Sequence, residues 1–227
     1  MKKFFTVALM ILFAANICRA APASIDKTTA NFQARQSFML TSAEGDKYDV
    51  YIIGEDEKIL YDWLWAQGDK IFSGNYFAYI NKINSATLNL QDVKLFADIH
   101  SAENAQRVNV TQLDRDGFYR VKCRGNLPDL LVSKIQITGG GAFAVKIFVV
   151  KDGRLQQVKF IGDKFNGNVG KIQDSRDSTS NPIICNDDGT ISVPWHSNVA
   201  GIAGSYITVY MLDVDNLILS PAYTNKL

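Results

Sequence analysis

The stretch from Gly125 to Phe160 leaves little choice of secondary structure. It reads Gly125-Asn126-Leu127-Pro128-Asp129, then the apolar run Leu130 to Ile137, then Thr138 and the three glycines Gly139 to Gly141. Ala142 to Val150 follow, then the turn Lys151-Asp152-Gly153-Arg154 and a return through Leu155, Val158 and Phe160. Short runs rich in Val, Ile, Leu and Phe, broken by glycines and an Asp-Gly pair, are strand and hairpin signals. Weaker copies of this unit lie on both sides of it. The fold expected is therefore all-β, with antiparallel strands in propeller-blade-like or sandwich-like modules.

A chain of 227 residues suits one large β domain or two small ones, and 47% apolar residues suffice for a sizeable core. The formal net charge of +1, with acids and lysines interspersed, gives no electrostatic case for a nucleic-acid partner or an anionic membrane.

The N-terminus has the layout of a secretory leader. Lys2 and Lys3 form a charged start, Phe4 to Ile17 an apolar segment, and Ala20, Ala21 and Ala23 supply small residues for cleavage. Cleavage fits after Ala20 or after Ala23, and the leader is drawn here as residues 1–23. The apolar segment is short for a membrane span, and no second one follows, so no span is expected once the leader is removed. The expected location is secreted or periplasmic. Cys18 leaves with the leader, and Cys123 and Cys185 remain. They form a disulfide, which would add about 4 kcal/mol by closing a long loop, or stay as two buried thiols.

Residues 24–35 are polar without a sustained apolar period and read as a linker ahead of a single all-β domain, 36–227. Within that domain three windows look alike. Phe77, Phe143 and Tyr206 each follow a glycine and precede a turn, which suggests three internal repeats at 41–102, 112–168 and 174–227. Each window holds roughly four strands, as a propeller blade does.

The segment Gly125-Asn126-Leu127-Pro128-Asp129-Leu130-Leu131-Val132 resembles the FG-GAP/VCBS β-propeller repeat, in which Gly-x-x-Pro-Asp enters an aliphatic strand. The resemblance implies blade-like strands, and in that family an upstream Asp-x-Asp-x-Asp-Gly run often binds calcium. Here Lys122, Cys123 and Arg124 stand immediately upstream. Asp114-Arg115-Asp116-Gly117 keeps part of the acidic pattern, earlier and in another register.

The candidate metal ligands are Asp114 and Asp116, with Asp187 and Asp188 beside Gly189. Calcium wants six to eight oxygens, so carbonyls and water would have to complete either pair; Asp-Gly pairs also simply build hairpin turns. No cofactor other than calcium is suggested. His100 and His196 lack the neighbours of a zinc site. Thr138-Gly139-Gly140-Gly141 leads into a strand, not into the helix a phosphate loop requires.

The candidate ligand-binding residues are the aromatics Tyr61, Trp63 and Trp65, with Trp195 and His196 as a second group. Flat apolar rings with a polar edge suit sugars, peptides and protein surfaces, and they equally fill the space between sheets. The function expected is a non-catalytic binding or protein-interaction module, with a protein or carbohydrate partner. The alternatives are a secreted hydrolase acting on sugar or peptide through His196 and nearby acids, and a structural subunit joined through strand edges.

Overall fold

The computed structural model describes residues 21–61, 70–96, 106–109, 117–136, 142–161, 170–173, 183–197, 201 and 203–227. In chain order the elements are β1 (Ser24–Asp26), α1 (Lys27–Gln33), β2 (Ala34–Thr41), β3 (Lys47–Tyr61), β4 (Lys70–Lys82), β5 (Thr87–Leu90) and β6 (Gln106–Asn109). There follow β7 (Phe118–Val121), β8 (Leu130–Gln136), β9 (Ala142–Lys151), β10 (Arg154–Phe160), β11 (Gly170–Gln173), β12 (Ile184–Cys185), β13 (Thr190–Ser197), β14 (Gly204–Asp213) and β15 (Ile218–Lys226). The all-β expectation holds, with one short helix among the described residues. Among the described residues no helix is long and apolar enough to cross a membrane.

Two sheets result. The first has the order β1-β5-β4-β3-β2, with β6 also on β4. The second runs β12-β13-β14-β15-β10-β9-β8-β7, with β11 also on β9, and curls into a nearly closed barrel. Among the described residues all pairs are antiparallel except β10 with β15, where Lys159 and Phe160 run alongside Ile218 and Leu219. The turn at Asp152-Gly153 is as expected from sequence. Both residues have positive φ (50° and 70°), which a two-residue hairpin between Lys151 and Arg154 requires.

The strands β8 and β9 have no solvent face over their central residues. Val145, Ile147 and Val149 point into the barrel with Leu130, Val132, Val158, Phe160, Ile191, Val193, Tyr210 and Leu219. Phe148, Val150 and Leu131, facing the other way, pack with Leu40, Val50, Ile52, Ala78 and Ile80 of the first sheet. The edge-to-face pair Phe160–Tyr210, with centroids 5.4 Å apart, helps fill the barrel. Phe96 sits against both Tyr76 and Phe118 in the seam between the sheets. The far face of the first sheet buries Tyr51, Ile53, Tyr79 and Leu88 beneath α1 through Ala30.

Residues 24–35, expected as a linker, are instead β1, α1 and the start of β2. Asp26 caps the helix by accepting from the Thr29 N–H at 2.8 Å, and Lys27 pairs with Asp49. The helix is too short to show a period in sequence, and one alanine is its whole buried stripe.

The three windows also assemble differently from blades. Strands β2–β5, β7–β10 and β12–β15 are each four-stranded meanders, but the first begins at Ala34, ahead of the window at 41–102. The second and third merge into one sheet through β10 and β15. Of the arrangements expected, sheets packed face to face describe the molecule.

Cys123 and Cys185 are bonded, with Cα atoms 5.2 Å apart. Cys185 lies in β12 and Cys123 just beyond β7, so the bond ties together the two ends of the barrel sheet. The exposed pair Arg124–Asp187 (2.7 Å) flanks it. The bond therefore closes one continuous sheet that contains both the second and the third window.

Asp129, at the end of the Gly-x-x-Pro-Asp segment, is 1% exposed. Its carboxylate accepts from the Thr41 N–H (2.7 Å), the Cys123 N–H (3.3 Å) and the Arg120 guanidinium (2.8 Å). Its own N–H donates to the Thr41 carbonyl at 2.9 Å. One side chain thus fastens the end of β2 to the barrel beside the disulfide.

Two outcomes test this account. Replacing both cysteines by serine should lower unfolding stability by about 4 kcal/mol, the entropy of a loop spanning 62 residues. Urea unfolding with and without reductant measures it, and an unchanged midpoint would remove the closure argument. Asp129→Ala strands a guanidinium and two N–H groups and should cost about 3–5 kcal/mol. A loss below 1 kcal/mol would show that Asp129 is not the fastening.

Candidate functional site

The barrel end formed by β13, β14 and β15 carries the most distinctive side-chain arrangement. Register places inward-facing residues in rows across the strands. Ile191 pairs with Tyr210, Val193 with Thr208, and Trp195 with Tyr206. On the next strand Thr208 pairs with Thr224 and Tyr206 with Lys226. Directly paired residues share a face. The first row is packed in the barrel, Thr208 is buried, and the Trp195 and Tyr206 rings emerge half-buried at the end.

The rings are stacked, with centroids 4.5 Å apart and planes 17° from parallel. The indole N–H donates to Thr208 Oγ1 at 2.8 Å, and that hydroxyl is 2.9 Å from Thr224 Oγ1. The orientation of Trp195 is therefore held by a hydrogen-bonded chain beneath it. Beyond Tyr206 lies Lys226, its ammonium 5.8 Å from the ring centroid. The lysine stem crosses Gly204, where an added Cβ would come within 2.9 Å of Lys226 Cε; the glycine's φ of +141° also disfavours any other residue. The Leu227 N–H donates to the Ser205 carbonyl at 2.8 Å and secures the end of β15.

Pro194 alternates with this row and faces out. β12 pairs with β13 only as far as Ser192, so a residue without an N–H is tolerated there. Ring, ring and cation in one row can hold a flat or ring-shaped ligand by apolar contact and leave a positive group at one side.

The other sequence candidates fare as follows. Asp188 Oδ1 accepts from the Thr190 hydroxyl (2.7 Å) and N–H (2.9 Å), which in that order hold its carboxyl below the usual range. With Gly189 at φ +84° this is a hairpin turn. Asp187 is taken by Arg124. Among the described residues no group of three His, Cys, Asp or Glu could hold a metal ion. Trp63, Trp65, Asp114 and Asp116 lie outside the described residues. Tyr61 ends β3 and His196 of β13 pairs with Ser205 of β14, but their side chains also lie outside them. Of the sequence-predicted binding residues, Trp195 alone is placed in a describable site. Tyr206, Thr208, Thr224 and Lys226 were missed, because only register brings them beside it.

A second polar cluster sits on the first sheet. A bulge between Glu55 and Lys58 turns Glu57 back across Gly54 and Gly74, where side chains would collide with it. Arg35 Nε (3.0 Å) and Nη2 both donate to the Glu57 carboxylate. Tyr76 is buried beside this pair, and its hydroxyl closes no hydrogen bond of regular geometry. Burial first, and the Glu57 carboxylate second, push its ionisation well above the ordinary phenol range. Tyr76 also lines a cavity of about 450 Å³ with Ala23, Leu90, Asp92 and Leu95.

No family model, characterised protein or solved structure matches this chain.

The tyrosine gives a pH prediction. A folded value raised above the unfolded one of about 10 means that the neutral phenol favours the fold. That contribution is complete below pH 10 and is lost as pH rises past it. Tyr76→Phe should therefore move the alkaline unfolding midpoint upward. Ultraviolet titration of the wild type should show Tyr76 ionising only with unfolding; a normal phenol titration in the folded protein would contradict this.

Proposed function

We propose that the chain is exported and works as a non-catalytic binding module, with the Trp195–Tyr206–Lys226 row as its recognition surface for carbohydrate. The observation that carries this is the stacked ring pair, half-exposed at the end of a filled barrel and locked by Thr208. Sugar rings present C–H faces that lie flat on aromatic rings, and fixed rings lose little entropy when a ligand settles on them. Lys226 adds a cation that favours saccharides bearing carboxylate or sulfate groups. The export half of the reading is supported by the leader-like N-terminus and by a disulfide of a kind that a reducing cytosol seldom keeps.

The test is calorimetric titration of the protein with a panel of neutral and acidic oligosaccharides. Trp195→Ala should weaken binding about tenfold or more, equivalent to ~1.4 kcal/mol, while the circular dichroism spectrum stays native. Lys226→Ala, on an exposed stem, should weaken only the acidic members. Binding that neither substitution alters, or no binding to any saccharide, would end the carbohydrate assignment.

A further inference from the structure

We infer that the leader is removed at the Ala20–Ala21 bond and not after Ala23, so that Ala21 begins the working protein. The inference rests on the export reading above and fixes its processing site. Sequence allows both bonds, since Cys18 and Ala20, like Ala21 and Ala23, are small residues two apart. The fold separates them. The Pro22 carbonyl accepts from the hydroxyl of Tyr79 at 3.0 Å, and the Ala23 carbonyl accepts from the Leu90 N–H at 2.9 Å.

Tyr79 is 2% exposed with residues 21–23 in place, and removing Pro22 would take from its hydroxyl the partner it has in the fold. The Leu90 bond extends the ladder that β1 makes with β5, where Ser24, Ile25 and Asp26 pair with Asn89, Leu88 and Thr87. Ala23 also forms part of the wall of the cavity beside Tyr76. Cleavage after Ala23 would remove both acceptors. It would also place a charged α-amino group on Ser24, the first residue of a strand with only three. Cleavage after Ala20 keeps every one of these contacts and puts the new charge beyond them.

The step is a plain hydrolysis by a leader peptidase. Water adds to the Ala20 carbonyl carbon, the C–N bond breaks, Ala20 leaves as a carboxylate and Ala21 keeps the nitrogen as its α-amino group. Nothing is oxidised or reduced.

The experiment expresses the full chain in a host with a secretory pathway, purifies the exported fraction and measures its intact mass and N-terminal sequence. The expected product begins Ala21-Pro22-Ala23 and carries one disulfide. Ala20→Leu should leave the precursor uncleaved, whereas Ala23→Leu should be processed at the same bond as the wild type. A product beginning at Ser24, or processing blocked by Ala23→Leu and not by Ala20→Leu, overturns the site while export stands. A wild-type chain that keeps its leader inside the cell overturns the export reading and the site with it.

Discussion

The fold depends on a strand that has no outside. Over its buried stretch β9 sends alternate residues into two different cores, Val145, Ile147 and Val149 into the barrel and Phe148 and Val150 into the seam with the first sheet. β8 does the same with Leu130 and Val132 against Leu131. A strand covered on both faces has no solvent side to fill with polar residues, and this is why the run is mostly apolar, with Ser133 and Lys146 as buried polar exceptions. It also cannot shift register by one residue without exchanging the contents of the two cores. Fixing β8 and β9 therefore fixes the barrel wall and the surface on which the first sheet rests.

Polar groups complete the joint between layers where apolar contact ends. The Ser133 hydroxyl donates to the Leu95 carbonyl at 2.5 Å, and Lys146 reaches the Lys94 carbonyl at 2.8 Å. The Ala43 N–H donates to the Val150 carbonyl, and the Asp152 N–H donates to the Glu44 carboxylate, so the β9–β10 hairpin is held by the loop between β2 and β3. Asp129 does this at greater cost, since its charge is wholly inside the protein. Three donors converging on two oxygens offset that cost and leave few alternative positions for the end of β2.

The parts of this structure that are legible in sequence are those decided locally. The runs at 130–137, 142–150 and 155–160 announce strands, and Asp152-Gly153 and Asp188-Gly189 announce turns, because composition and φ preference act within a few residues. What sequence does not carry is partnership. Nothing near Phe160 says that β10 leaves β9 to run parallel with β15, and nothing near Cys185 says that β12 closes on the β7 end. The helix was missed for another reason. Its stability comes from the Asp26 cap and one buried alanine, too few signals for a period to register. The ring pair lies between these cases. Trp195 stands out by residue type, but Tyr206 becomes its neighbour only through the register of β13 against β14.

Closure at one end of β13 is what makes the other end usable. Cys185 pairs with Ile191 at the beginning of the strand, next to the bond that joins the barrel's two ends. From there the inward positions run from packed Ile191 and Val193 to the half-exposed Trp195. The strand rises roughly 3.3 Å per residue, so the rings stand about 13 Å from the fastening. An open sheet could twist at this point and separate β13 from β14, taking the two rings apart. With the sheet ends tied and the interior filled, the stack at the tip inherits the rigidity of the core. The Trp195–Thr208–Thr224 chain then fixes the direction of the indole at that tip.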